Sequence, residues 1–325
     1  MYLRTIVALI LVFEVWFNVE GGGVGLSYDF YESSCPQVED IVRTGLQSLS
    51  ATDPTSPAAM LRLMFHDCQV QGCDASILLD PSNLTVPLEM TSKKNYGIRK
   101  RELISTIKLM VETVCPQQVS CADILILAAR EAVALSGGPL IRVPLGRRDS
   151  STTSSYKFAD ASLPAPNLGV DGMLLMFSNK GMTTEEAVAI TGAHTLGVTH
   201  CFNILNRLYS PEIGHTQNME PGFELLLRLS CPLESSTSNT SIVLNDPTTL
   251  LFDNQYYINA MRGRGVLRID AEMSSDPRTA RFVELFAVDE DEFFRAFSSA
   301  FVKLSSSGVL TGSQGVIRKS CDALN

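Results

Sequence analysis

Positive charge is scarce in this chain. Its 325 residues hold 26 Lys and Arg against 35 Asp and Glu, a net charge of −9 at pH 7. Phosphate backbones and anionic lipid repel a chain of that sign, so nucleic acid and membrane surfaces are poor partners for it. Histidine is scarcer still: only His66, His194, His200 and His215 exist, and chemistry that needs an imidazole must draw on them. Charged residues make up 19% and hydrophobic ones 45%, which excludes a disordered chain and fits a packed globular one. We find no internal repeat. The N-terminal apolar run "TIVALILVF" has nine residues, well short of the ~20 that cross a bilayer as a helix.

That run has another use. Arg4 precedes it and the small residues of "EGGGVG" follow it, so residues 1–25 are expected to be a secretory signal and 26–325 a single domain. Setting aside Arg4, Glu14 and Glu20 leaves 25 bases against 33 acids, a net charge of −8. Eight cysteines remain, at 35, 68, 73, 115, 121, 201, 231 and 321. An even count in an exported chain implies four disulfides. Of the roughly 100 pairings possible, Cys68 with Cys73 is the easiest to form. The sequons at Asn83 and Asn239 fit export and are expected glycosylation sites.

The rest of the text is helical. Val38, Ile41, Val42, Leu46 and Leu49 recur at helical intervals. Ser56-Pro57 predicts a helix start with Ser56 as N-cap, and Ser120 with Asp123 has a capping-box-like spacing, aspartate serving as the acid, before "ILILAAREAVAL". Thr183 and Glu186 form a capping box before "AVAITGAH", while Asp276-Pro277 and Asp289 mark two further starts. Strand-like text is confined to scraps such as "GVIR" near Gln314, so the class is mainly α. A groove between helical halves is where a buried ligand would fit.

His66 sits in "LRLMFHDCQVQGCDAS", one turn after Arg62. Four residues turn a helix to within about 40° of the start, so the two side chains share a face. Leu61, Leu63, Met64 and Phe65 surround them, which implies a buried helix and a buried arginine in want of an anionic partner. A neutral imidazole beside a fixed guanidinium is the pair needed to take a proton from a substrate and stabilise the anion left behind. Asp67, Asp74 and Ser76, with the carbonyls of Val70 and Gly72, form an oxygen-rich loop suited to calcium, though not at EF-hand spacing. His194 and His200 are six residues apart, about 240° around a helix, which disfavours one shared metal.

The stretches "LRLMFHDCQVQGCDASILLD", "VSCADILILAAR", "GGPLIRVPLGRRD", "LPAPN", "TGAHTLGVTHC" and "FDNQYY" resemble the secretory plant haem peroxidases (class III), from about Leu26 to Cys321. The resemblance implies a two-lobed, mainly α fold with haem b between the lobes. His194 would be the axial ligand and Asp270 the carboxylate behind it. His66 and Arg62 would act on hydrogen peroxide, with Asn95 holding His66; the text around Asn95 is one residue shorter than the family's. Asp67, Val70, Gly72, Asp74 and Ser76, with Glu89 behind them, match one calcium site. Thr195, Thr248 and Asp253 match a second, where Asn245 stands at the family's aspartate position and Asp246 beside it. The implied disulfides are Cys35–Cys115, Cys68–Cys73, Cys121–Cys321 and Cys201–Cys231. Pro164 would line the donor channel.

The chain departs from the family text at Gln69, Gln71 and Leu140-Ile141. Its only tryptophan, Trp16, lies in the expected signal, so donors would be oxidised at the haem edge or through a tyrosine. The expected protein is a secreted, glycosylated, monomeric enzyme of the apoplast, cell wall or vacuole that answers oxidative stress by oxidising small phenols with hydrogen peroxide. The rival reading, prompted by the altered 90–101 segment, is a haem-less or catalytically weak calcium-stabilised binding protein.

Overall fold

The computed structural model describes residues 25–80, 86–210, 219–233 and 241–325. The first half is four long helices: α1 (Val38–Thr52), α2 (Ser56–Gln69), α3 (Arg101–Val114) and α4 (Cys121–Leu135). α4 forms the centre, with Ile124 to Ala129 without solvent exposure, and packs against α2 and α1. Ser120 caps it by accepting from Asp123 N–H. The Asp123 carboxylate does not return the bond. It is buried on Tyr31, the Gly146 amide and Arg147, where it joins the chain before α1 to the loop after α4.

The second half comprises α5 (Tyr156–Ser162), α6 (Val170–Ser178), α7 (Thr184–Thr191), α8 (Leu205–Tyr209), α9 (Pro221–Ser230), α10 (Gln255–Met261), α11 (Arg268–Glu272), α12 (Ala280–Val288) and α13 (Glu290–Ser306). α13 packs against both α7 and α2 and so bridges the two halves. Its aromatic face, with Phe293, Phe297 and Phe301, is buried against Phe252, Tyr257 and Phe286. The Thr183–Glu186 capping box forms in full, and Asp289 caps α13 through Glu292 N–H.

Three local expectations are corrected. The N-cap of α2 is Thr55, and Ser56 lies inside the helix; neither side chain caps it, because Pro57 already removes one of the amides a cap would serve. α12 begins at Ala280, since Asp276 turns its carboxylate onto the Arg278 amide and closes a separate turn first. "GVIR" contributes one isolated bridge, Val316 to Asp149. The only ladder among the described residues is β1 (Val198–His200) antiparallel to β2 (Ile242–Leu244).

All eight cysteines are paired, as Cys35–Cys115, Cys68–Cys73, Cys121–Cys321 and Cys201–Cys231. No helix among the described residues is long and apolar enough to cross a membrane. The expected signal, Trp16, His215 and both sequon asparagines, Asn83 and Asn239, lie outside the described residues.

Candidate active site

α2 carries Arg62 and His66 on one face, as the helical spacing predicts. Arg62 Nε donates to His66 Nε2 at 3.2 Å, and Arg62 Nη2 donates to the Tyr96 carbonyl at 3.0 Å. On the other ring nitrogen, His66 Nδ1 lies 2.7 Å from Asn95 Oδ1, while Asn95 Nδ2 donates to the Glu89 carbonyl at 2.8 Å. That second bond fixes the amide's orientation and makes Oδ1 the acceptor. His66 therefore carries its proton on Nδ1 and a lone pair on Nε2. Burial, and then the Arg62 charge, lower its pKa to about 3 against the opposing pull of Asn95, so the ring is neutral.

Asn95 ends a short 3₁₀ turn, Lys93–Asn95, that begins with the Ser92 hydroxyl accepting from Lys94 N–H. Lys94 Nζ reaches the carbonyls of Asp160 and Leu163, tying this turn to the Leu163–Leu168 connection that contains Pro164. The shortened text around Asn95 thus still delivers its side chain to His66.

His194 lies in the 3₁₀ turn Gly192–Thr195 that continues α7. Only glycine fits at 192, where a Cβ would meet Tyr257 Oη at 2.5 Å and Phe293 at 2.6 Å, so the turn is pressed onto α10 and α13. His194 Nδ1 is 3.0 Å from Asp270 Oδ1. That carboxylate also accepts from Tyr256 Oη at 2.8 Å and from Leu267 N–H at 2.9 Å, which immobilises it. The imidazole is 38% exposed although Thr195 beside it has no exposure, so the ring opens into a space rather than into the core. His200 is not joined to it and stacks on Phe202, with centroids 5.5 Å apart. Among the described residues, no group of three or more His, Cys, Asp or Glu side chains is placed to hold one metal ion.

Two oxygen clusters flank the histidines. In the first, Asp67 accepts from Ala75 N–H at 3.0 Å, Asp74 from Ser76 N–H at 3.0 Å, and the Ser76 hydroxyl donates to Glu89 at 3.3 Å. Gly72 has φ of +122°, and a Cβ there would lie 1.9 Å from the Gly308 carbonyl, so no side chain fits. Burial and mutual repulsion raise Asp67 and Glu89, the latter to about 7; burial raises Asp74. In the second, the Thr195 hydroxyl lies 2.8 Å from Asp246 and 3.1 Å from Asp253, and Thr248 is 3.2 Å from each. Asn245 is not in this cluster. As the residue that follows β2 it turns back to β1, accepting from Thr199 Oγ1 at 2.8 Å and donating to the Leu196 carbonyl at 3.1 Å. Asp246 occupies the place expected of it.

The residues that sequence reading left without a role are Tyr256 and Lys94. Tyr256 lay in plain view inside "FDNQYY". Nothing local in the sequence marks Lys94, whose acceptors are more than sixty residues away.

Comparison with known proteins matches the chain to one family. The peroxidase family model covers residues 42–289. The chain belongs to the peroxidase family. Peroxidase 29 of Arabidopsis thaliana is 57% identical over 311 residues, covering 95% of this chain and 91% of that protein. Peroxidase 57 of the same plant is 40% identical over 302 residues, covering 92% and 93% respectively. Peroxidase 12 is 40% identical over 303 residues, covering 93% and 83%. As a peroxidase the protein is an oxidoreductase acting on hydrogen peroxide, with haem as its cofactor and the two-lobed, mainly α fold described above.

Proposed function

We propose that the peroxidase reduces hydrogen peroxide with His66 as general acid and base, Arg62 as the electrostatic partner, and His194 as the iron ligand of haem b, and that it oxidises small phenols one electron at a time. The observation that carries this is the matched pair of imidazoles, each held through Nδ1, one by the Asn95 amide and the other by the Asp270 carboxylate, with the His66 Nε2 meeting only the Arg62 guanidinium. This donor set fits haem. An imidazole hydrogen-bonded through Nδ1 to a carboxylate is a peroxidase-type axial ligand. When bound, haem supplies the redox chemistry that splits the peroxide O–O bond.

The chain's own residues do the rest. The His66 Nε2 lone pair takes the peroxide proton, and the same nitrogen returns it to the departing oxygen. Substrate must displace the Arg62 Nε bond to reach that lone pair, which frees the guanidinium to face the developing negative charge. Asn95 keeps the Nδ1–H tautomer in place throughout. Asp270, fixed by Tyr256 and the Leu267 amide, orients His194 and sets its tautomer.

Each oxygen cluster serves as a calcium site in this reading. Asp67, Asp74 and Ser76 ligate with the Val70 and Gly72 carbonyls, with Glu89 outside; Thr195, Asp246, Thr248 and Asp253 form the second site. Burial raises the pKa values of Asp67, Glu89 and Asp246, and a bound cation would favour their charged forms. Pro164 borders the donor channel, residues 1–25 are removed on secretion, and residues 26–325 work as a monomer outside the cytoplasm, with glycans on Asn83 and Asn239. Purified protein supplied with haem should show a Soret band that shifts on adding peroxide. Colourless protein after reconstitution would sink the proposal.

A further inference from the structure

Tryptophan and tyrosine are the aromatic side chains that give up an electron most readily, and the chain beyond residue 25 has no tryptophan. Its tyrosines differ in position. Tyr31, Tyr256 and Tyr257 are buried, Tyr156 and Tyr209 are half-buried, and Tyr28 lies under Arg142 ahead of α1. Tyr96 is 43% exposed and follows Asn95 directly. Its carbonyl accepts from Arg62 Nη2 at 3.0 Å, so its backbone meets Arg62 at first hand and His66 through Asn95.

The Tyr96 ring packs edge-on against Phe202, with centroids 5.1 Å apart, and Phe202 stacks on His200. Gly97 makes the turn possible: its φ is +78°, and a Cβ there would lie 2.9 Å from His200 Cε1 and 3.4 Å from Arg62 Nη1. Tyr96 thus connects the surface with His66, which is only 7% exposed and out of reach of any polymer. The surroundings are basic in a protein that is acidic as a whole. Lys93, Lys94, Arg99, Lys100 and Arg101 flank Tyr96 in sequence, and among the described residues only Arg99 and Lys100 meet a carboxylate, sharing Asp53. Lys94 and Arg101 end on backbone carbonyls, and Lys93 is exposed.

We propose that Tyr96 is a surface oxidation site for phenolic polymers that carry acidic groups and are too large to approach His66. The peroxide-oxidised enzyme takes one electron from Tyr96, and the phenolic proton leaves to solvent. The tyrosyl radical then takes one electron and one proton from a phenol of the polymer. The Tyr96 O–H bond re-forms, and the polymer is left with a phenoxyl radical. The bases around the ring hold the anionic groups of the polymer beside it. The inference rests on the peroxidase reading and extends it to donors that never enter the site.

The test treats the haem-loaded protein with peroxide in the presence of a nitroso spin trap and maps the adduct by mass spectrometry of its peptides. The adduct should sit on Tyr96 and be missing from Tyr96→Phe, which keeps the ring packing but cannot form a phenoxyl radical. With lignosulfonate, a sulfonated phenolic polymer, and guaiacol, a small phenol, as donors, the ratio of the two oxidation rates should fall about fivefold or more in Tyr96→Phe. Lignosulfonate should also bind the resting protein about threefold or more weakly after Lys93→Glu, and that difference should shrink as salt is raised. Absence of an adduct on Tyr96, or a rate ratio in Tyr96→Phe within about twofold of the parent's, overturns the proposal. So does lignosulfonate binding that is indifferent to both Lys93→Glu and salt. A Soret band that ignores peroxide refutes the peroxidase reading and this inference together, whereas a peroxide-sensitive band with guaiacol turnover and no Tyr96 adduct refutes this inference alone.

Discussion

Replacing Asn95 by valine removes the acceptor from His66 Nδ1 while keeping nearly the same shape. In the parent this bond is 2.7 Å long and the His66 side chain is buried, so no water takes over. A hydrogen bond to a charged group is worth about 1.5–3 kcal/mol and to a neutral one about 0.5–1.5. The bond therefore favours the ring in the transition state, where Nε2 is gaining a proton, by about 1–1.5 kcal/mol over the resting ring. That difference alone is about tenfold in rate. Valine also releases the tautomer lock, and any ring with its hydrogen on Nε2 cannot accept there, which adds about twofold to threefold. The rate of the peroxide-induced Soret change, followed by stopped flow, should fall about ten- to thirtyfold. Asn95→Asp keeps an acceptor and adds negative charge, so it should raise the basicity of His66 and retain most of the rate. A valine variant that melts like the parent and reacts within twofold of it would remove Asn95 from the mechanism.

Four further outcomes follow. His66→Leu should slow the same Soret change by about 10³-fold or more, because general acid–base catalysis is lost together with positioning; near-parental stopped-flow rates would exclude His66 as the base. Chelation of divalent cations should lower the melting temperature by about 5 °C or more, since Asp67, Asp74 and Glu89 then remain buried together without a counter-charge; an unmoved melt argues against calcium there. Removing Cys35–Cys115 by a double serine substitution opens a loop of sequence separation 80 and should destabilise the protein by up to about 4.5 kcal/mol in chemical denaturation, where a loss under about 1 kcal/mol would show the bridge to be dispensable. Burial raises Glu186, but the bonds from Lys303, the Thr183 amide and Ser299 outweigh it and hold the carboxyl below its usual value. Its stabilising contribution is therefore complete above the ordinary carboxylate range and is lost as pH falls through the lowered value, so Glu186→Gln should flatten the acid side of the stability profile. Parallel profiles would contradict this.

What the sequence made legible was whatever is encoded within a turn or two of helix. The Arg62–His66 pairing, the capping box at Thr183 and the cap at Asp289 follow from spacing alone, and each forms. The errors lie where a nearby group competes. Asp123 has the right spacing to complete a capping box, yet Arg147, the Gly146 amide and Tyr31 offer it stronger partners in a buried place. Asn245 has the right register for the second oxygen cluster, yet the short β1–β2 ladder draws it away and leaves Asp246 to take its place. No periodicity announces a three-residue ladder, because alternation needs more residues than that to register. The partners of the two histidines, 29 and 76 residues away, became expectations only through resemblance to a family.

In the proposed mechanism those distant partners account for the division of labour between two chemically identical rings. Each imidazole has its Nδ1 hydrogen bonded and its Nε2 directed elsewhere, so the rings differ chiefly in what stands behind them. Behind His194 is a carboxylate that cannot turn away, being held by Tyr256 and the Leu267 amide. Its negative charge increases the electron density of the ring, which suits a permanent bond to a metal. Behind His66 is an uncharged amide, which sets the tautomer without supplying enough charge to keep the ring protonated, and Arg62 opposes protonation further. A ring so placed binds a proton only briefly and gives it up again, as a shuttle must. Exchanging the two acceptors would leave both rings hydrogen-bonded yet reverse these tendencies, so the chemistry of each histidine is written in the charge of the residue behind it.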